Sequence, residues 1–200
     1  MQLIGMLDSP FVRRVAVSAQ LLGIPLQHLS LSVFRNYDDI RKVNPLVKVP
    51  TLVCDDGEVL VDSTLIIDYL ESLPEAGPSL VPDEHRRRAL RIIGTALVAM
   101  EKTVQIFYET KQRPADKQYA PWASRVEQQL SEALRLLDAE SADGWMCGDR
   151  TGQADVSTAI AWGFTKLIRP DIAADEAYPR LAALAARAEA LPEFLAWPIE

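Results

Sequence analysis

The stretch NPLVKVPTL, residues 44–52, ends a loop with a proline, Pro50, that stands directly before a short apolar segment. Such a loop usually leads into a strand through a trans peptide bond, since only a few per cent of X–Pro bonds in folded proteins are cis. The alternative is a cis bond between Val49 and Pro50, which would turn the Val49 backbone outward to pair with an extended peptide ligand. The stretch alone is compatible with both.

The residues that follow this loop predict a hairpin and then a helix. Residues 49–54 are apolar except for Thr51, and the turn Asp-Asp-Gly at 55–57 leads into residues 58–61, which predicts two antiparallel strands. Asp62 and Ser63 then begin a helix, and as a pair they are compatible with an ordinary helix cap. They also suit a ligand: the amides and the hydroxyl at this helix start could bind a ligand carboxylate, and the Asp62 carboxylate could bind a ligand ammonium group. The apolar face of this helix is formed by Leu65, Ile66, Tyr69 and Leu70.

The residues that precede the loop predict a βαβ unit. Apolar segments at residues 2–7 and 26–31 flank an amphipathic helix at residues 10–22. Ser9 suits the cap of that helix and Pro10 its first turn, so a simple helix cap is the better-supported interpretation of this segment alone. The same helix start could also stabilise an anion such as a thiolate, because its amides are free and a hydroxyl can donate outward.

The second half of the chain predicts an all-helical domain. Residues 74–82 contain three prolines and a glycine, and the apolar periodicity is helical from there onward. We therefore predict a first domain at residues 1–76, a linker at 77–83 and a helical domain at 84–200. The predicted helices span residues 84–109, 121–140, 155–168 and 178–191.

Composition and charge exclude several classes of function. The formal net charge is -7, from 28 acidic and 21 basic residues, which argues against a nucleic-acid partner. No apolar stretch approaches the roughly 20 residues that span a bilayer, and residues 1–7 predict a strand rather than a signal peptide. Cys54 and Cys147 are predicted to be buried packing residues, and with His28 and His85 they show no metal-ligand spacing. A reducing compartment fits this cysteine usage.

The order and spacing of the Ser9 turn, the 44–52 stretch and the Asp62-Ser63 helix start resemble those of the glutathione transferases. The resemblance spans nearly the whole chain and implies a thioredoxin-like βαβαββα domain followed by an all-helical domain. It includes residues 148–155, GDRTGQAD, which are similar to the family's signature before a buried helix. Gly152 replaces the family's usual Ser or Thr cap, so we expect only Asp155 to contribute its half of the capping box.

The resemblance also implies a set of site residues. Ser9 would be catalytic and would face the glutathione sulfur. Val49 would pair with the cysteinyl backbone, Asp62 with Ser63 would hold the γ-glutamyl amine and carboxylate, and Lys48 would reach the glycine carboxylate. The full set of implied binding residues is Phe11, Lys48, Val49, Pro50, Asp62 and Ser63.

The function that the resemblance implies is transfer of glutathione to a small hydrophobic electrophile. Glutathione would be a co-substrate, with no cofactor or metal, and the protein would be a cytoplasmic homodimer acting in detoxification. The helical domain would form the electrophile pocket, although Phe107, Tyr108 and Trp122 in that region are predicted to be ordinary core residues. A glutathione-dependent disulfide reductase or peroxidase, and a non-catalytic binding or regulatory protein, remain alternatives.

Overall fold

The computed structural model describes residues 1–199, which form two compact units. The first unit contains residues 1–80 together with residues 190–199, and the second contains residues 81–189. The sequence-based division assigned the last ten of these residues to the helical domain. In the structure they pack against the first unit instead, through contacts described below.

The first unit is built on a small mixed sheet. Its four strands are β1 (Gln2–Ile4), β2 (Gln27–Leu29), β3 (Thr51–Val53) and β4 (Val59–Val61), in the spatial order β2-β1-β3-β4. Strand β1 is parallel to β2 and antiparallel to β3, which in turn pairs antiparallel with β4. The helices are α1 (Pro10–Leu21), α2 (Tyr37–Val43) and α3 (Ser63–Glu71), so the predicted thioredoxin-like order is confirmed.

A continuous apolar core fixes α1 and α3 to the sheet. Each buried aliphatic side chain contributes about 1.5–3 kcal/mol relative to an exposed one. Because both helices are anchored along their length, their N-terminal ends are held in defined positions next to the sheet. The core residues that join these elements include Leu3, Val12, Val15, Ala16, Leu52, Ile66 and Leu70.

The C-terminal segment is attached to α1 by polar and aromatic contacts. It contains the short helix α8 (Pro192–Leu195). The guanidinium of Arg13 donates from Nε to the carbonyl of Trp197 at 2.8 Å and lies 5.4 Å from the ring centroid of Phe194. The rings of Trp197 and His28 pack edge-on, with their centroids 5.7 Å apart. The Nε2 of His28 is hydrogen-bonded to the Gly5 carbonyl. These contacts connect residues that are far apart in sequence.

The second unit consists of packed helices. They are α4 (Arg86–Phe107), α5 (Ala120–Glu140), α6 (Gln153–Ile168) and α7 (Pro179–Glu189). Helix α4 packs against both α5 and α6, and α6 packs against α7. A π-helical turn at Tyr108–Gln112 extends α4. Among the described helices, none is both long and apolar enough to cross a bilayer.

Candidate functional site

The N-terminal end of α1 presents an uncommitted hydroxyl. Ser9 is the cap residue with an extended backbone, and Pro10 is the first helical residue. The Ser9 amide donates to the Met6 carbonyl at 3.1 Å and its carbonyl accepts from the Arg13 amide at 3.0 Å. Its hydroxyl makes no capping bond and has no hydrogen-bond partner within residues 1–199. The partly exposed Ser9 hydroxyl can therefore donate to a group outside the protein.

The loop at residues 44–52 is held in shape by a buried amide. Asn44 is buried, and its Nδ2 donates to the Thr51 hydroxyl at 2.8 Å and to the Lys48 carbonyl at 3.3 Å. Its Oδ1 accepts from the Leu46 amide at 3.0 Å. The Thr51 hydroxyl also donates to the Lys48 carbonyl at 2.6 Å. These bonds satisfy the loop's internal polar groups and fix the path of the chain up to β3.

The Val49–Pro50 peptide bond is cis, so the second of the two sequence-based hypotheses is confirmed. Within the described part of the chain, the N–H and C=O of Val49 take part in no backbone hydrogen bond. Gly5, at φ +136°, lies against this residue: a Cβ placed on it would be 3.0 Å from the Val49 Cβ and 2.5 Å from the Val12 Cγ2. The close approach at Gly5 therefore lets Val49 and the first turn of α1 lie near each other. Strand β1 itself ends at Ile4, earlier than the predicted residue 7.

The N-terminal end of α3 is capped by a carboxylate. Asp62 has φ +73°, and its Oδ1 accepts from the amides of Thr64 at 2.8 Å and Leu65 at 3.3 Å. This cap confirms the predicted helix start. Ser63 is only 2% exposed, whereas Asp62 and Thr64 are exposed at the surface. The amide of Ser63 has no acceptor among the described residues.

A buried arginine that the sequence analysis missed joins α1 to α3. The Nη1 of Arg14 donates to Ser63 Oγ at 2.9 Å and to Thr64 Oγ1 at 3.0 Å, and the residue is 1% exposed. Burial lowers the pKa of the Arg14 guanidinium to about 10, and the nearby Asp62 carboxylate opposes that shift. The side chain therefore remains charged at neutral pH. No sequence signal identified it, because at about 3.6 residues per turn Arg14 lies on the side of α1 opposite Val12, Val15 and Ala16.

The two remaining predicted site residues of the first unit, Lys48 and Phe11, are not fully buried. Lys48 is exposed, and its ammonium group has no partner within residues 1–199. Phe11 is partly buried in the first turn of α1. Thus Ser9, Phe11 and Val49 cluster around one turn, while Asp62 and Ser63 are connected to the same helix through Arg14.

The second unit contains its own cleft, with a volume of about 490 Å³. Tyr108 and Trp122 line it and are 46% and 42% exposed, so the prediction that they are core residues is wrong. They lie on the π-helical turn and at the start of α5, where the aromatic rings face solvent rather than the helix bundle. Nearby, the buried Glu109 carboxylate pairs with Arg113 at 2.8 Å and accepts from the Tyr119 amide at 2.7 Å.

The two cysteines are buried, as predicted, in their separate units. Cys54 is 8% and Cys147 2% exposed. Burial raises the pKa of the Cys147 thiol, which disfavours the reactive thiolate. The burial of both thiols disfavours a nucleophilic role for either cysteine.

Comparisons with known proteins agree with this architecture. The sequence model of the glutathione S-transferase N-terminal domain matches residues 3–79, and that of the C-terminal domain matches residues 120–187. A maleylacetoacetate isomerase of Pseudomonas aeruginosa is 31% identical over 193 residues, which cover 90% of this chain and 87% of the relative. An uncharacterised GST-like protein of Escherichia coli, YibF, is 27% identical over 170 residues and 84% of each chain.

Solved structures show the same fold with ligands bound. A glutathione transferase family member from Pseudomonas fluorescens, with bound S-(propanoic acid)-glutathione, is 30% identical with a TM-score of 0.81 over 98% of each chain. A glutathione S-transferase from Methylobacterium radiotolerans in complex with glutathione sulfonate is 26% identical with a TM-score of 0.90, over 98% of this chain and 93% of that one. On its sequence, its two domains and its fold, the chain belongs to the glutathione S-transferase family.

Proposed function

We propose that this chain is a glutathione-dependent enzyme that binds reduced glutathione in its first unit and uses Ser9 to hold the sulfur as a thiolate. The observation that carries the proposal is the uncommitted Ser9 hydroxyl at the N-terminal end of α1, next to the unpaired backbone of Val49. Family members with glutathione derivatives in their structures support the same ligand here.

The binding roles follow from the groups that the first unit leaves unpaired. The Val49 N–H and C=O suit the two strand-like hydrogen bonds of a cysteinyl backbone. The exposed Asp62 carboxylate suits the γ-glutamyl ammonium, and the unpaired Ser63 amide together with the Ser63 hydroxyl suits its carboxylate. The free ammonium of Lys48 suits the glycine carboxylate, and Phe11 would contribute apolar contact to the bound peptide.

The free energy required for thiol activation is modest. A free thiol has a pKa of about 8.5, and lowering it by about two units corresponds to roughly 2.7 kcal/mol. A hydrogen bond from the Ser9 hydroxyl to a charged sulfur contributes about 1.5–3 kcal/mol. The N-terminal end of α1 adds about 0.3–1 kcal/mol. Together these two interactions are sufficient to keep most bound glutathione ionised at neutral pH.

Two reactions can begin from this thiolate. In conjugation, the sulfur attacks a small hydrophobic electrophile and a carbon–sulfur bond is retained in the product. In isomerisation, the sulfur adds to an activated double bond, the bond rotates, and the sulfur is expelled unchanged. Conjugation is our first candidate, and the 31% identity to a maleylacetoacetate isomerase over most of the chain favours isomerisation as the second.

We further propose that the enzyme is a cytoplasmic homodimer with no resident cofactor, as the family resemblance implies. Sedimentation of the purified protein at several concentrations would test the dimer. A monomer at micromolar concentration would contradict that part of the proposal.

Calorimetric titration of reduced glutathione tests the binding step. We expect saturable binding by the unaltered protein and an affinity about tenfold or more lower for Ser63→Ala, which removes a hydroxyl at the start of α3. Ser72→Ala is a matched control, because it removes a hydroxyl that caps the opposite end of the same helix. We expect it to change the affinity by less than about twofold. Absence of binding by the unaltered protein would contradict the proposed function.

Turnover of two substrates then separates the candidate reactions. An aryl halide consumed together with glutathione would identify a conjugating enzyme. Maleylacetoacetate converted without net consumption of glutathione would identify an isomerase. Glutathione binding without turnover of either compound, of a disulfide or of a hydroperoxide would identify a non-catalytic binding protein.

A further inference from the structure

The turn that carries Ser9 runs from Gly5 to Arg13 and is held at both ends. At its beginning, the Gly5 amide donates to the Leu29 carbonyl at 3.1 Å, and the Gly5 carbonyl is bonded to His28 Nε2 at 2.7 Å. A carbonyl oxygen only accepts, so Nε2 of His28 carries the hydrogen. At the far end, the Arg13 amide donates to the Ser9 carbonyl at 3.0 Å. The position of the Ser9 hydroxyl therefore depends on where these two ends are held.

The C-terminal segment contacts the residues that hold both ends of the Ser9 turn. The Trp197 carbonyl accepts from Arg13 Nε at 2.8 Å, and the Arg13 guanidinium lies 5.4 Å from the ring centroid of Phe194. The Trp197 ring packs edge-on against His28, with the centroids 5.7 Å apart. One residue of the segment thus contacts Arg13 through its backbone and His28 through its ring.

Trp197 contributes through its ring rather than through its indole N–H. The Nε1 atom is buried and has no hydrogen-bond partner within residues 1–199. A buried donor without an acceptor is unfavourable, so this N–H does not stabilise the position of the ring. The ring itself packs on the apolar core of the first unit and on the edge of His28. It is therefore placed to restrict the His28 side chain and to keep Nε2 directed at the Gly5 carbonyl.

The packing at Gly5 transmits the position of this carbonyl to the Ser9 turn. A Cβ on Gly5 would lie 2.5 Å from Val12 Cγ2, so the backbone of Gly5 lies directly against the first turn of α1. The Ser9 amide donates to the carbonyl of Met6, the next residue along the chain, at 3.1 Å. A hydrogen bond weakens steeply with poor distance and angle, so a displaced turn would stabilise a bound thiolate less.

We propose that Trp197 and His28 are positioning residues for Ser9. The Trp197 ring holds the His28 side chain, and His28 holds the Gly5 carbonyl at the beginning of the Ser9 turn. The turn thereby keeps the Ser9 hydroxyl directed at the sulfur of bound glutathione. This inference rests on the proposed function, because it concerns the thiolate that Ser9 stabilises. It gives the C-terminal segment a part in the reaction as well as in the fold.

The pKa of the bound glutathione thiol, measured by ultraviolet titration, tests the role of His28. His28→Leu removes the donor to Gly5, and we expect it to raise this thiol pKa by about half a unit, which is a threefold smaller ionisation constant. His28→Gln retains an N–H that can reach the same carbonyl and should recover most of the parental value. The affinity for glutathione should stay within about twofold in both variants, because the groups at Asp62 and Ser63 are unchanged.

Two substitutions of Trp197 test whether its ring acts through His28. Trp197→Leu removes the ring, and we expect it to raise the pKa of the bound thiol about as much as His28→Leu. Trp197→Phe keeps an aromatic ring and removes the unpaired N–H, so it should leave this pKa near the parental value. The double variant of His28→Leu and Trp197→Leu should raise the pKa no further than His28→Leu alone. If Trp197→Leu does not fold, the His28 variants alone decide the inference.

Two control variants separate positioning from a general loss of stability. Val17→Ala shortens a fully buried side chain of α1 beyond the Ser9 turn, so it should lower the midpoint of urea unfolding and leave the pKa of the bound thiol unchanged. Leu195→Ala changes a residue of the C-terminal segment that is 66% exposed, and we expect neither quantity to change.

Each outcome decides the inference. A raised thiol pKa in His28→Leu and Trp197→Leu, with recovery in His28→Gln, supports it. A parental thiol pKa in His28→Leu overturns it and leaves the proposed function standing. An equal rise in Val17→Ala also overturns it, because the effect would then come from loss of stability alone. Absence of glutathione binding by the unaltered protein overturns both the inference and the proposed function.

Discussion

The helix starts of the two units use their hydrogen-bonding groups in opposite ways. At the start of α6, the Asp155 carboxylate is fully buried and accepts from the amides of Met146 at 2.8 Å and Gly152 at 3.0 Å. At the start of α1, by contrast, the Ser9 hydroxyl has no partner within the described chain, and at α3 two hydroxyls keep their protons uncommitted.

This difference distinguishes a helix start that stabilises the fold from one that is available to a ligand. Buried polar groups that are fully paired hold the structure together, and removing one partner leaves the others unsatisfied. Polar groups left unpaired at a partly exposed helix start contribute little to folding and remain available for binding. The residues around α6 should therefore govern stability, and those around α1 and α3 should govern glutathione binding.

The largest expected effect is on stability, from Asp155→Ala. This change leaves two buried amides without acceptors, and we expect it to lower the free energy of unfolding by about 3 kcal/mol. Urea denaturation measures the loss. At temperatures where the variant remains folded, its affinity for glutathione should match that of the unaltered protein; a parallel loss of affinity would remove the distinction between the two kinds of helix start.

Much of this arrangement follows from recognisable sequence signals, although not all of it. Ser9-Pro10 and Gly23 predict both ends of α1 to within one residue, because helix caps and a left-handed glycine depend on the local sequence alone. Helix α2 was expected from the family order but could not be located, since Ile40 is its one buried residue and a single apolar position has no periodicity.

The features that could not be predicted from the sequence depend on tertiary contacts. Arg14 looks like a polar surface residue until the position of α3 is known. The attachment of the C-terminal segment rests on contacts of Arg13 with Phe194 and Trp197, which lie more than 180 residues away from it in sequence. Tyr108 lies exposed on a π-helical turn that no residue pattern predicted, and Trp122 lies exposed at the start of α5.

The next expected effect is on catalysis, from Ser9→Ala. Loss of one hydrogen bond to a charged sulfur should lower kcat/KM for conjugation of an aryl halide about 30-fold, which corresponds to about 2 kcal/mol. Glutathione binding should change little, because the lost interaction favours the thiolate over the thiol. The unfolding free energy should also be nearly unaffected, since this hydroxyl makes no bond within the described protein. Equal rates for variant and parent would exclude Ser9 as the activating group.

A smaller effect is the pH dependence that Asp155 gives to stability. Burial raises the pKa of Asp155, and the hydrogen bonds from Met146 and Gly152 only partly oppose this shift. The folded protein therefore holds the proton more tightly than the unfolded chain, and this group's contribution to stability falls as pH rises from about 4 through the raised pKa. Across this pH range, the free energy of unfolding should decline less with rising pH in Asp155→Asn than in the parent. Identical pH slopes in the two proteins would show that Asp155 is not the titrating group.

The smallest expected effect is from Lys48→Met. An exposed charge of this kind contributes about 0.5 kcal/mol to an ion pair, so the affinity for glutathione should fall about twofold. The difference between variant and parent should disappear at high salt, because screening weakens the attraction in the parent. A difference that is independent of salt would show that Lys48 does not act through its charge.

The central claim is that the first unit binds glutathione as a thiolate, and ultraviolet titration of the bound thiol tests it most directly. The absorbance of the thiolate, followed against pH in the complex with the unaltered protein, should give a thiol pKa about two units below the value of about 8.5 for a free thiol. In Ser9→Ala the pKa should return most of the way to that value. A bound thiol that titrates near 8.5 in the unaltered protein would contradict the account.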